Sequence, residues 1–232
     1  MRAKLLRWDA RNAGDALQSL DCEADWEGVW RDFAGGQTQV FFCAESAWPD
    51  PPSDGLSAAE CEQAGKFRRE TDRKAFVAGR LLMRMVIARV LTLSDDAQLP
   101  IETDAKGKPF CPLPGAPFFN LSHTRGWLGL AVRGMGQVGL DLEDTRREVN
   151  LLPLTRRYFS EAEAARVAVG GAEAFFRIWT RKEALVKCMG TGLTVSLRGL
   201  DTLALEAEGR WRFQEITPAP FLQGCVVTSD GH

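Results

Sequence analysis

Three short stretches of the chain carry side chains that suit one chemistry. Asn120-Leu121-Ser122-His123 offers a hydroxyl and an imidazole. Gly139-Leu140-Asp141-Leu142-Glu143 offers two carboxylates at alternate positions of an apolar run. Trp179-Thr180-Arg181-Lys182-Glu183-Ala184-Leu185-Val186-Lys187 offers an indole, a carboxylate and an ammonium at every fourth position. Residues two apart on a strand share a face, so Asp141 and Glu143 project together while Leu140 and Leu142 turn toward a core. Residues four apart on a helix also share a face, which aligns Trp179, Glu183 and Lys187. Three carboxylates without His or Cys form a hard all-oxygen donor set that favours Mg²⁺ over zinc, and Mg²⁺ commonly bridges protein carboxylates to phosphate oxygens.

Each group also has a plainer reading. Asp141 and Glu143 could be solvated acids at a strand end, pairing Arg146 and Arg147. Trp179 could be a core anchor beside a Glu183–Lys187 ion pair. His123, the only histidine before the terminal residue, is either a satisfied structural histidine or a donor to phosphate oxygen. Ser122 is not persuasive as a catalytic nucleophile, because no second internal histidine can serve as its base and G-x-S-x-G is absent. Lys106-Gly107-Lys108-Pro109 is an exposed turn, or a turn whose glycine lets backbone amides approach a flat ring or a phosphate. It is not a Walker loop, since GxxxxGK[ST] does not occur.

The elements that must position these groups are legible in outline. Residues 1–36 are charged and end in Gly35-Gly36; they are expected to form an extension of uncertain order. Thr38 to Cys43 reads as the first strand, and Asp50-Pro51-Pro52 as a loop. Ser57-Ala58-Ala59-Glu60 is a capping box. A long helix is predicted from about Thr71 to Leu91, with Phe76, Leu81, Leu82, Met85 and Val86 at helical spacing. Phe118–Leu121 and Leu128–Val132 read as paired strands, with Ser122 and His123 in a polar break between them. Ser160-Glu161-Ala162-Glu163 repeats the box, and Gly190-Thr191-Gly192-Leu193 stops the helix that carries Glu183. The repeated order of box, long helix and strands implies two similar α+β halves, 37–135 and 136–232, the second carrying the metal site. A cleft between them is the expected ligand pocket.

The whole-chain properties narrow the field. The 232 residues are 45% apolar and 26% charged, with a net charge of −2, an ordinary globular balance that gives no reason to expect nucleic acid. Lys66, Arg68, Arg69, Arg73, Lys74 and Arg80 are either a local basic patch or a solvated helix face. The six cysteines are scattered without ligand-like spacing, which disfavours zinc and suits reduced thiols. The start, Met1-Arg2-Ala3-Lys4-Leu5-Leu6-Arg7, lacks the apolar core of a signal peptide, and no run spans a bilayer. A cytoplasmic chain is expected, with no membrane partner.

Taken together in order, the motifs resemble the 4′-phosphopantetheinyl transferases of the large monomeric type. The resemblance runs from about Leu56 to Leu193 and comprises D-x-x-A-x-x-A-G-R-L at Asp72–Leu81, K-G-K-P at 106–109, F-N-L-S-H at 119–123, G-L-D-L-E at 139–143 and W-x-x-K-E-A-x-x-K at 179–187. It implies two pseudo-symmetric α+β halves with the active site in the cleft, acting as a monomer. It also implies coenzyme A as donor, Mg²⁺ as metal and an apo acyl or peptidyl carrier protein as acceptor, with release of 3′,5′-ADP. By position, Asp141, Glu143 and Glu183 would be the metal site. Lys106, Gly107 and Lys108 would line the adenine end, Ser122 and His123 would touch phosphate, and Lys187 would contact the diphosphate. Glu183 is the candidate base, directly or through a metal-bound water, with Lys187 and His123 stabilising charge. The chain departs from the family at Gln63, where a basic residue usually holds the 3′-phosphate, and at Ala75, where several relatives have arginine. Lys66, Arg69 or Lys74 is the expected substitute. The rival readings are a Mg²⁺-dependent hydrolase of nucleotide diphosphates and an inactive carrier-protein or coenzyme A-binding module.

Overall fold

The computed structural model describes residues 5–8, 17–20, 23–47, 50–51, 54–93, 99–192 and 195–229. Met1–Lys4, Cys22, Pro52, Leu193 and His232, which figure in the expectations above, lie outside the described residues. Two antiparallel sheets pack face to face between helices. The first has five strands in the order β2 (Leu17–Ser19), β1 (Leu6–Trp8), β3 (Gln39–Ala44), β7 (Trp127–Arg133) and β6 (Phe118–Thr124). The second has three, in the order β8 (Gln137–Asp144), β10 (Leu222–Ser229) and β9 (Arg212–Ile216). A small hairpin pairs β4 (Glu102–Thr103) with β5 (Pro109–Phe110).

Within 1–36, expected as an extension of uncertain order, the described residues supply integral structure. β1 pairs with β3, and α1 (Glu23–Ala34) sets Trp26 and Val29 into the core with Leu5 and Leu20. The sequence signal was weak because β1 and β2 are only three residues long. One face of the first sheet packs on α1 and on α3 (Glu70–Val90), through Phe41, Leu128 and Leu130 against Leu82, Met83 and Val86. Its other face, through Val40, Phe42 and Ala131, meets Val138, Leu140, Leu142, Ile216 and Val226 of the second sheet. The far face of that sheet receives α5 (Glu161–Met189), through Ala184, Leu185 and Cys188 against Cys225 and Val227. Pleat alternation therefore sends Leu140 and Leu142 to the inter-sheet core and leaves Asp141 and Glu143 on the α5 side.

Both capping boxes form as read. Ser57 opens α2 (Ala58–Gly65) and Ser160 opens α5, each with its glutamate reaching back to the cap N–H. α5 breaks at Gly171, whose φ of 59° and ψ of −139° are not helical. It stops at Gly190 in the left-handed region, where glycine costs least. The remaining helices are α4 (Leu151–Tyr158) and α6 (Thr202–Ala207). Among the described residues no helix is long and apolar enough to cross a membrane.

Ser122 and His123 do not occupy a break between strands. They lie within β6, which runs on to Thr124 and turns directly into β7. The reason is the edge they serve. The alternate side chains Asn120, Ser122 and Thr124 accept the backbone N–H groups of Leu140, Leu142 and Asp144 at 2.8, 3.1 and 3.0 Å. Three polar side chains thus replace a backbone ladder between β6 and β8, joining the two halves along one edge.

Candidate active site

The site begins with Gly139. A methyl group there would run into Ala184 O and the Cys188 backbone, so only glycine lets β8 lie this close to α5. Two and four residues on, the same strand face carries Asp141 and Glu143. The apposed helix face carries Trp179, Glu183 and Lys187, and the close approach brings the two rows together.

Lys187 Nζ donates to Asp141 Oδ1 at 2.7 Å, to Leu140 O at 3.0 Å and to Ser122 Oγ at 3.1 Å. Ser122 in turn donates to Asp141 Oδ1 at 3.3 Å. Its hydroxyl is therefore saturated by protein groups in this arrangement. Glu143 Oε1 accepts from Trp179 Nε1 at 3.0 Å and from Arg147 at 2.9 Å. Burial, and secondarily Asp141, push Glu143 up to about 7 despite Arg147, Trp179 and Lys187. The same two causes raise Glu183 above the ordinary carboxylate range, against Lys187. His123 stands at the exposed rim. The protein packed around it, and then Lys187, draw its pKa below the usual value, against Asp72 and Asp141.

The first half contributes the β4–β5 turn. A pocket of about 190 Å³ brings Lys106, Gly107, Lys108 and Pro109 together with Asn120, Lys187, Gly190 and Gly192. Lys106 is exposed, whereas the Lys108 ammonium turns inward to protein acceptors. Four of the six residues of the candidate basic patch pair with local acids: Lys66 with Glu62 at 2.8 Å, Arg73 with Glu70 at 2.6 Å, Lys74 with Asp50 at 3.9 Å and Arg80 with Glu60 at 3.4 Å.

Whether Asp141, Glu143 and Glu183 suit a divalent cation can be tested on their own contacts. Among the described residues no three such side chains are gathered tightly enough to grip a metal as they stand. The donor set nevertheless fits one. Asp141 Oδ2 is buried without a hydrogen-bond partner. Glu183 has no hydrogen bond or ion pair among the described residues and is half-buried. Glu143 and Glu183 are raised first by burial and then by the Asp141 charge, and a cation between the acids would offset both.

Four features escaped the sequence reading: Gly139 as the contact point, the Trp179 bond to Glu143, the Asn120 bond across the halves, and the inward turn of Lys108. Only the first had a usable signal, since a glycine on the acid-bearing face implies that another backbone comes close.

Comparison with known proteins agrees with this geometry. Residues 137–224 match the model of the 4′-phosphopantetheinyl transferase superfamily, and residues 53–134 match that of the 4′-phosphopantetheinyl transferase N-terminal region. The 4′-phosphopantetheinyl transferase HetI of Nostoc is 30% identical over 70% of this chain and 74% of its own length. The 4′-phosphopantetheinyl transferase AcpT of Salmonella typhimurium is 33% identical over 64% of this chain and 79% of its own. A phosphopantetheinyl transferase of Thraustochytrium is 32% identical over 62% of this chain, a match that spans only 56% of that relative. With β8 and α5 inside one matched region and the β4–β5 turn and β6 inside the other, the chain belongs to the 4′-phosphopantetheinyl transferase superfamily.

Proposed function

We propose that the chain transfers 4′-phosphopantetheine from coenzyme A to a serine of an apo acyl or peptidyl carrier protein, using Mg²⁺ held by Asp141, Glu143 and Glu183. The observation that carries this reading is a buried Asp141 Oδ2 without a hydrogen bond, faced from α5 by Glu183, which makes none among the described residues, beside the Lys187 ammonium. The divalent cation supplies neutralising charge for the diphosphate. The rest follows from the chain's own groups. Lys187, a fixed ammonium at the mouth of the site, stabilises phosphate oxygens as charge develops. His123, with its pKa lowered, is largely neutral at pH 7 and donates through one ring N–H. Lys106 and Gly107 line the adenine end of the pocket they share with Lys187.

The carrier serine oxygen bonds to the β-phosphorus, and the bond from that phosphorus to the bridging oxygen of 3′,5′-ADP breaks. Glu183, facing Asp141 from α5, takes the serine proton, directly or through a bound water. We take the enzyme to be a cytoplasmic monomer in which residues 37–135 and 136–232 form the two halves, with no nucleic acid or membrane partner. The five described cysteines are free thiols, as suits that compartment.

The test is incubation with coenzyme A, Mg²⁺ and an apo carrier protein, read by mass spectrometry. The carrier should gain one phosphopantetheine on a serine as 3′,5′-ADP appears. A chelator should stop the reaction, and Mg²⁺ or Mn²⁺ should restore it. Diphosphate cleavage without a modified carrier would overturn the reading in favour of a hydrolase.

A further inference from the structure

We infer that Lys108 is a positioning residue for this transfer: it pins the last turn of α5 so that Lys187 stays over Asp141, and its ammonium does not bind coenzyme A. The inference rests on the transferase reading above. Lys108 Nζ donates to Lys187 O at 3.0 Å and lies 3.4 Å from both Val138 O and Gln137 Oε1. Those acceptors sit on the two elements that carry the site, α5 and β8. Three acceptors engage all three donors of an ammonium, leaving none for a phosphate.

The location explains why a tie is needed. Lys187 O lies in the final turn of its helix, where carbonyls lack intrahelical donors. The Gly190 N–H reaches that oxygen only at 3.3 Å. Lys108 adds a shorter bond and places a cation at the negative end of the helix. Its aliphatic stem rests against Gly190, where an added methyl would sit 3.7 Å from Lys108 Cδ. The two ends of Lys187 are then held separately: its carbonyl by Lys108, and its ammonium by Asp141, Ser122 and Leu140 O. Without the Lys108 ammonium the terminal turn loses its firmest partner and Lys187 loses its fixed direction. Misplacing a charge by about 1 Å is enough to cost on the order of a hundredfold in rate.

The experiment uses the full chain. Transfer by the wild-type enzyme is measured first; its absence would overturn this inference together with the transferase reading. If the wild type transfers, Lys108→Met should lower kcat by at least about tenfold, while the calorimetric Kd for coenzyme A moves by less than about twofold. Lys108→Arg, which keeps a cation at the carbonyls, should recover most of the rate. A Kd raised about tenfold for coenzyme A but not for dephospho-coenzyme A, with kcat kept, would show a direct 3′-phosphate contact and overturn the inference alone. Unchanged kcat and Kd would overturn it equally. A crystal structure of the wild type with coenzyme A needs no variant to fold. Lys108 Nζ should remain on Lys187 O, and a swing onto a phosphate oxygen would refute the assignment.

Discussion

The two halves of the molecule each open a helix with the same capping box and finish it differently. In the first half the box glutamate, Glu60, accepts from the Ser57 N–H at 2.8 Å and from Arg84 at 2.7 Å. Its other oxygen lies 3.4 Å from Arg80 Nε and lacks a hydrogen bond, as do Arg80 Nη1 and Arg84 Nη1. These groups line an open pocket of about 790 Å³. In the second half Glu163 is fully buried with Lys182 at 2.6 Å. Every remaining valence there is used. Thr202 donates to Glu163 from both its N–H and its hydroxyl, and Lys182 reaches Leu197 O and Leu200 O. The sealed network sits one residue from Glu183, the open one between α2 and α3, which carry no proposed chemistry. The difference teaches where rigidity is needed: the helix that carries the proposed base and the proposed phosphate-binding ammonium is anchored at both ends, by Glu163–Lys182 and by Lys108.

The sharpest way to break this comparison is to separate chemistry from anchoring. Asp141→Ala should cut transfer by at least about a hundredfold, on the scale of losing one preorganised electrostatic group, while the unfolding midpoint stays near that of the wild type. Near-normal turnover at limiting Mg²⁺ would remove Asp141 from the site.

Anchoring comes next. Lys182→Met leaves Glu163 buried and unpaired, and should destabilise the protein by about 3–5 kcal/mol in urea unfolding. Arg84→Met should cost less, about 1–3 kcal/mol, because Arg80 and the open pocket still serve Glu60. Equal losses would mean that the halves are not differently sealed.

The smallest effect is a dependence on pH. Burial alone would raise Glu60, but the bonds from Arg84 and the Ser57 N–H, with the charges of Arg84 and Arg80, hold it below the usual carboxylate range. A depressed folded-state pKa contributes stability that is present above the unfolded value and lost as pH falls through the folded value. Glu60→Gln should therefore flatten the acid side of the stability curve, modestly and below about pH 4.5. An unchanged acid limb would show that this pair does not contribute there.

Much of this was legible in the sequence, and for local reasons. Capping boxes, the α3 and α5 stripes, and the Asp141/Glu143 alternation depend on dihedral preference and side-chain period, which neighbours in sequence set. The stretch 1–36 was not legible, because three-residue strands carry little periodicity and gain their stability from pairing with β3. The placement of Ser122 and His123 inside β6 was hidden for a related reason. Polar residues read as a break unless one knows that Asn120, Ser122 and Thr124 cap the edge of β8. Lys108 illustrates the limit most directly. Its type and its turn are local facts, but the acceptors that fix its direction lie 30 and 79 residues away in sequence. Propensity and spacing therefore determined which residues could do phosphate chemistry. Only tertiary packing decided which charges meet, because long-range contacts depend on how closely Gly139 lets a strand and a helix approach.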